Sequence, residues 1–277
     1  MEQSQMLICQ ISDLHVRAPG ELAYRLVDTA AFVRRCVSHI LAQRRLPDAV
    51  VVTGDLADRG QPAEYEHLAS LLTPLSMPVY LIAGNHDQRD CLRAAFPGHE
   101  YLPRGTTFLQ YVASVGPIRL VALDTVVPGE GGGLLCSDRL QWLERQLDAH
   151  RGAPIVILMH HPPFVTGVSH MDRVGLQLAY PLEPIIRRHP SIERILCGHL
   201  HRTIFRRVGG TIAATCPSPA HQVVLDFMPE APPQFAMEPP GYLLHRWNEA
   251  EGMTSYGVAI GEFEGPYPFY DRGKLIE

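Results

Sequence analysis

Asp13-Leu14-His15 is the first of five boxes whose residue types can do chemistry. The others are Gly54-Asp55, Gly84-Asn85-His86-Asp87, His160-His161-Pro162-Pro163 and Gly198-His199-Leu200-His201. The D-x-H and H-x-H spacings let both side chains of a pair face one point beyond the end of a strand. Together the carboxylates, the carboxamide and the imidazoles are enough donors for two metal ions. Mixed nitrogen and oxygen donors suit Fe, Mn, Zn or Co with an open coordination position. An all-thiolate structural zinc site is excluded, because the only cysteine near a box, Cys197, stands one residue before Gly198.

Elements that could carry these boxes follow from the apolar runs. Runs at 6–11, 49–52, 79–82, 119–123, 155–159 and 192–197 each end in a polar cluster, which predicts buried strands. Between them, helices are expected at about 23–45, 63–73, 137–150 and 176–189. The third has Ser137 as its N-cap and Leu140, Leu143 and Leu147 on one face. This β-α-β alternation predicts an α/β core with substantial parallel pairing. Beyond residue 200 the pattern turns strand-rich, at about 203–208, 211–216, 221–226, 242–248 and 253–260. The proline-rich stretch 227–241 reads as a loop, a lid edge or a subunit contact. Gly131-Gly132-Gly133 lacks the context of a phosphate cradle and reads as a flexible connector.

Composition bounds the function. Of 277 residues 46% are apolar and 19% charged, ample for a core and too few charges for a disordered polyelectrolyte. The net charge of −5 leaves no basic footprint for a nucleic acid polymer. The six cysteines form no C-x-x-C pair and read as reduced, mostly buried thiols. No apolar run reaches the ~18 residues of a membrane span, and the start of the chain does not read as a cleavable signal. A cytoplasmic protein without membrane attachment is expected.

The five boxes in this order resemble the calcineurin-like metallophosphoesterase superfamily, and within it the class III cyclic-nucleotide phosphodiesterases and bacterial glycerophosphodiesterases. His221-Gln222-Val223 and the Tyr/Pro-rich tail are similar to that branch too, so the resemblance spans nearly the whole chain. It implies a four-layer α/β/β/α sandwich of two mixed sheets, with residues 1–225 as the catalytic domain. Residues 226–277 would form a cap or oligomerisation segment on the same core. It also implies that Asp13, His15, Asp55 and His201 hold one metal. Asp55, Asn85, His160 and His199 would hold the other, with Asp55 bridging. The activity implied is hydrolysis of small phosphodiesters by a metal-bridging hydroxide, in a homo-oligomer.

With those ligands, two divalent ions against Asp13 and Asp55 leave a positive surplus suited to a phosphodiester monoanion. His86, following a ligand, would hang over the centre to stabilise phosphoryl oxygens or protonate the leaving group. His221 resembles a histidine near the substrate phosphate. His39, His67, His150 and His189 read as solvated, His161 as packing, Asp87 as the cap of the helix after its box, and Cys197 as core. Gly54-Asp55-Leu56-Ala57-Asp58-Arg59-Gly60 also resembles a Ser/Thr phosphatase box, so a phosphomonoesterase is the competing activity. A non-catalytic scaffold is the third reading.

Overall fold

The strand Ile155–Leu158 explains the layering. Ile155 and Ile157 pack with Leu143 and Leu147 of the helix Ser137–Ala149, and with Ile185 and Ile186 of the helix Leu182–Arg187. Val156 and Leu158 point the other way, into a larger cluster with Ile8, Ile11, Val50 and Val52. A strand apolar at every position therefore serves two cores, because successive side chains leave opposite faces. The larger cluster continues to Val33, Cys36 and Ile40 of the helix Thr29–Leu41, and to Tyr65 and Leu68 of Pro62–Leu72. The result is the expected α/β/β/α sandwich. The structure is a computed structural model that describes residues 5–179 and 181–276.

One sheet has five strands in the order Gly252–Ala259, Gly241–Asn248, Met6–Ile11, Ala49–Val52, Val79–Leu81. The last three are parallel and the C-terminal pair joins antiparallel. The other has six, in the order Ile204–Val208, Thr211–Thr215, Ile192–Cys197, Ile155–Leu158, Ile118–Ala122, Tyr111–Val115, parallel except at both edges. Every box follows the C-terminal end of a parallel strand, where loops of an α/β sheet converge.

Several elements depart from expectation. The first helix starts at Thr29, not near 23, because Ala23 and Val27 close a tight turn with Tyr24 and Arg25 at positive φ. Asp28 caps it, accepting from the Ala31 N–H at 2.9 Å. The helix expected over 176–189 shortens to Leu182–Arg187, since Leu176–Gln177 instead pairs with Gly133–Leu134. Cys136, not Ser137, is the N-cap of the helix Ser137–Ala149. The strand Tyr111–Val115, a hairpin partner of Ile118–Ala122, was not foreseen. The strand at 221–226 shortens to Gln222–Val223, and its partner, Phe235–Ala236, lies inside the proline-rich stretch. Among the described residues, no helix is long and apolar enough to cross a membrane.

Candidate metal centre

The first two boxes are locked together by backbone. Asp13 N–H donates to the Gly54 carbonyl (3.1 Å), and His15 N–H to the Asp55 carbonyl (2.9 Å), continuing the parallel ladder past the strand ends. Asp13, His15, Asp55, His199 and His201 all have positive φ. For residues with a Cβ this conformation costs on the order of 1 kcal/mol each, and such strain concentrates at functional sites. Two glycines permit the close approach of the loops. A Cβ at Gly54 would strike the His160 ring, and one at Gly84 would strike the Asp55 carboxylate.

All seven residues expected as ligands converge, in two groups that share Asp55. Ligand atoms of Asp13, His15, Asp55 and His201 lie within 4.8 Å of one another. Asp55 Oδ2 is 3.6 Å from His15 Nε2 and 3.4 Å from His160 Nε2, so one oxygen faces both groups. Asp55 Oδ1 is occupied, accepting the His86 backbone N–H at 3.0 Å. In the second group Asn85 Oδ1 is 3.0 Å from His160 Nε2 and 3.1 Å from His199 Nδ1.

The outward nitrogens define the inward ones. His160 Nδ1 lies 2.8 Å from the Thr53 carbonyl and His201 Nδ1 lies 3.1 Å from the His221 carbonyl. A carbonyl can only accept, so each Nδ1 carries a proton, which leaves Nε2 as the nitrogen that would face a metal. His15 Nδ1 faces Asp58 Oδ1 at 3.5 Å.

The donor set fits two cations. His15 and His201 bring their Nε2 atoms to 3.1 Å, and Asp13 Oδ2 is buried with no hydrogen-bond partner. A buried carboxylate oxygen and converging lone pairs need positive charge between them. The protonation tendencies of the bare site agree. Burial pushes the Asp13 carboxyl up to about 6, with the neighbouring Asp55 adding to it. Burial also opposes ionisation of Asp55, yet His160, His86 and His15 hold it well below the usual range. Burial would lower His160, but Asp55 outweighs it and raises the imidazole to about 9. Burial holds His199 down at about 3 and His201 well below its ordinary value, leaving both neutral as ligation requires.

His86 and His221 border the same space: a ring nitrogen of His221 lies within 4.8 Å of those of His15 and His201, and one of His86 within 4.8 Å of ligand atoms of His15 and Asp58. The His86 ring stands edge-on to His15, 4.6 Å between centroids, with Nδ1 2.7 Å from the Asp58 carbonyl. His221 lies against His201 (4.7 Å), Tyr24 (5.2 Å) and Phe235 (5.1 Å), and burial lowers it to about 3. A cavity of about 410 Å³ opens over the centre, walled by Tyr24, Phe235, Val223, Met171, Val174 and His170. On the far side of Asn85 and His86 lies a more polar cavity of about 600 Å³, at which Arg59 is largely exposed.

Five expectations at the periphery need correction. Asp87 does not cap the helix Arg89–Ala95, whose N-cap is Gln88. Its carboxylate instead accepts from the N–H groups of Gly84, Leu56 and Ala57 and from the Tyr65 hydroxyl, tying the Asp55 loop to the Asn85 loop. His189 is buried rather than solvated, while His39 and His67 are half-buried and bonded to the Tyr242 hydroxyl and the Arg17 carbonyl. The triple glycine is more than a connector, because Gly133 packs on the His161 ring and the Gly131 carbonyl lies 3.1 Å from His161 Nε2. His161 is buried with Nδ1 2.8 Å from the Thr125 hydroxyl, and a ring nitrogen lies within 4.8 Å of those of His160 and His199. Asp124, just beyond the strand Ile118–Ala122, forms a bidentate pair with Arg89.

Sequence reasoning missed Asp58, the Thr53 carbonyl, and Tyr24, Phe235 and His170 on the cavity wall. Asp58 had a signal, being the second acid of the Gly54–Gly60 box. The others had none, because wall residues are recruited from loops far apart in the chain.

Comparison with known proteins agrees with this geometry. Residues 6–203 match the calcineurin-like phosphoesterase family. The chain is 37% identical to a probable glycerophosphodiester phosphodiesterase GpdQ of Arcobacter nitrofigilis, over 98% of this chain and 100% of that one. It is 33% identical to the glycerophosphodiester phosphodiesterase GpdQ of Enterobacter lignolyticus, over 96% and 95%. In fold it is similar to a dimetal phosphatase from Danio rerio, with a TM-score of 0.64 at 17% identity, covering 92% of this chain and 99% of that one. The chain belongs to the calcineurin-like phosphoesterase family.

Proposed function

We propose that this enzyme hydrolyses small phosphodiesters, glycerophosphodiesters foremost, at a dinuclear centre. Asp13, His15, Asp55 and His201 hold one ion; Asp55, Asn85, His160 and His199 hold the other. The carrying observation is Asp55 Oδ2, a single carboxylate oxygen facing an imidazole of each group. Fe, Mn, Zn and Co all suit such nitrogen and oxygen donors. The choice of glycerophosphodiesters is supported by the nearly full-length likeness to two glycerophosphodiester phosphodiesterases. The aromatic pair of Tyr24 and Phe235, 4.9 Å between centroids, favours a cyclic nucleotide as the second substrate, since a base can stack there.

When bound, the ions supply an activated water and a positive field for the phosphoryl oxygens. The chain supplies the rest. Asp13 and Asp55 are the only carboxylates among the ligands, and nearby Asp58 is itself 3.4 Å from Arg17. The surplus positive charge that remains suits a monoanionic diester. His86, steadied at Nδ1 by the Asp58 carbonyl, turns Nε2 toward the substrate; in its protonated form it donates to the leaving oxygen. His221 lies beside the first group and supports the phosphate. Tyr24, Phe235 and Val223 exclude water from one side.

Residues 1–225 carry all the proposed ligands, while 226–277 contribute two strands of the five-stranded sheet, the cavity edge at Pro233–Phe235 and an assembly surface. Phe263, Tyr267, Phe269 and Tyr270 are all exposed, as are Phe227 and Met228. That much uncovered apolar surface supports a homo-oligomer. Light scattering at micromolar concentration should give a multiple of the single-chain mass, and a monomer would refute this. Six unpaired cysteines support a reducing, cytoplasmic location. The acidic chain argues against nucleic acid polymers and anionic membranes as partners.

A substrate panel on manganese-loaded enzyme tests the activity. Glycerophosphoethanolamine, 3′,5′-cyclic AMP, an aryl diester and the matching aryl monoester are compared by kcat/KM. The diesters should exceed the monoester. The reverse order would establish the phosphomonoesterase, with Arg59 available to a dianion.

A further inference from the structure

Gln10 is the polar residue of an otherwise apolar strand, Met6–Ile11. It is fully buried, in a core that includes Ile8, Val50, Val156 and Leu196. A carboxamide in such a place costs free energy unless its polar atoms are bonded, and here they are. Nε2 donates to the Cys197 carbonyl (2.9 Å) and to the Thr53 hydroxyl (3.0 Å), while Oε1 lies 3.1 Å from His245 Nε2. The Cys197 carbonyl can only accept, which fixes the NH₂ on that side and leaves Oε1 to accept from His245. His245 Nδ1 then accepts from the Ser255 hydroxyl (2.8 Å), whose oxygen receives Arg194 Nε at 3.3 Å. The row runs across the five-stranded sheet, from Gly252–Ala259 to the end of Ala49–Val52. It meets the strand Ile192–Cys197 of the other sheet twice, at Arg194 and at Cys197.

Both residues that receive the NH₂ stand directly beneath the metal centre. Cys197 precedes Gly198-His199; Thr53 precedes Gly54-Asp55, and its carbonyl lies 2.8 Å from His160 Nδ1. The sheets approach closely here, since a Cβ at Gly198 would strike the Ser12 hydroxyl and the Thr53 carbonyl. The two metal groups depend unequally on this junction. In the first, Asp13, His15 and Asp55 follow strands of the five-stranded sheet, and His201 alone comes from the six-stranded one. That group also has a clasp of its own: the Ser218 hydroxyl donates to the Asp13 carbonyl (2.9 Å), and the Ser218 N–H to the His201 carbonyl (3.2 Å). The second group is divided evenly, with Asp55 and Asn85 from one sheet and His160 and His199 from the other. Apolar contact between sheets is non-directional, whereas hydrogen bonds fix direction as well as distance.

We propose that Gln10 is a positioning residue whose carboxamide holds the two sheets in register beneath the centre, and thereby holds the two halves of the second metal group together. The inference rests on the two-group ligand assignment given above. Gln10 touches no ligand side chain; it acts through Thr53, whose carbonyl orients His160, and through Cys197, whose strand delivers His199. Partners of this kind, one bond removed from the ligands, set metal affinity by orienting the ligands they support.

The test uses the full chain, freed of metal by a chelator, as wild type, Gln10→Met and Ile8→Val. Methionine keeps the length of glutamine without its NH₂, and Ile8→Val trims the same strand without touching a polar group. Manganese titration by calorimetry should show the second step weakened about tenfold in Gln10→Met, with the first step within about threefold of wild type. The visible absorption of the cobalt-loaded protein, which reports ligand geometry, should change in Gln10→Met and not in Ile8→Val. Ile8→Val should lower the urea midpoint yet leave both metal steps as they are, so that lost stability alone does not imitate the effect. If Gln10→Met does not fold, Gln10→Leu carries the same comparison. Unchanged steps in the Gln10 variant, both steps weakened alike, or an equal weakening of the second step in Ile8→Val overturns the proposal. A wild type that binds fewer than two ions refutes the dinuclear reading itself, and this inference with it.

Discussion

Asp87→Asn should loosen the candidate centre from a position that donates nothing to a metal. The wild-type carboxylate is 6% exposed and accepts four hydrogen bonds. Its Oδ2 takes the N–H groups of Gly84 (2.8 Å) and Leu56 (3.1 Å), while its Oδ1 takes Ala57 N–H (3.1 Å) and the Tyr65 hydroxyl (2.9 Å). An amide has one oxygen, so in either orientation its NH₂ confronts a backbone N–H that cannot turn to accept. Tyr65 cannot relieve this, because its hydroxyl can turn to accept from the NH₂ but leaves the backbone N–H facing that NH₂ unpaired. Losing one or two charge-assisted bonds in a buried site should cost about 2–4 kcal/mol. Leu56 follows Asp55 and Gly84 precedes Asn85, so the two loops that supply the second group lose their common anchor. Urea unfolding of chelated protein should reveal the loss of stability, and metal titration should reveal a weaker second step. Tyr65→Phe, which removes two bonds, to Asp87 and from the Gln88 N–H, but sets no donor against a donor, should fall at the low end of that range, about 2 kcal/mol. A loss below about 1 kcal/mol in Asp87→Asn, with unchanged metal affinity, would refute the idea that this carboxylate ties the loops.

Asp55→Ala should abolish activity and remove both ions, because one oxygen serves both groups; elemental analysis finding two metals per chain would contradict the shared-ligand assignment. Burial, with Arg194 nearby, holds the His245 imidazole down at about 3 in the folded protein. Unfolded, it titrates near ~6.5, so between these values only the unfolded chain binds the proton. Its contribution to stability is therefore complete above about 6.5 and is lost as pH falls toward 3, amounting to ~2 kcal/mol between pH 7 and 5. Urea midpoints at those two pH values should separate further in wild type than in His245→Gln, and equal separations would show that His245 does not carry this dependence.

The boxes were legible because ligands placed at strand ends sit directly after apolar runs, and a run of four to six residues marks its own end. Asp13, Asp55, Asn85 and His160 each follow a strand within a few residues, and strands such as Met6–Ile11 and Ile192–Cys197 were read to the residue. The α/β class followed from the same alternation. Tertiary structure alone decided what those runs could not distinguish. A strand buried on both faces has no polar side to orient it, so nothing local indicates that Gly241–Asn248 pairs with Met6–Ile11 across more than 230 residues. Asp87 looks like a helix cap in sequence, since a cap needs only its neighbours, whereas its four partners span three separate segments. Tyr24, His170 and Phe235 carry no mark of the cavity either: each is an ordinary residue of its own short segment until the fold closes those segments over one centre. Ligand identity was local chemistry and could be read along the chain; orientation, anchoring and the shape of the cavity arise only between segments distant in it.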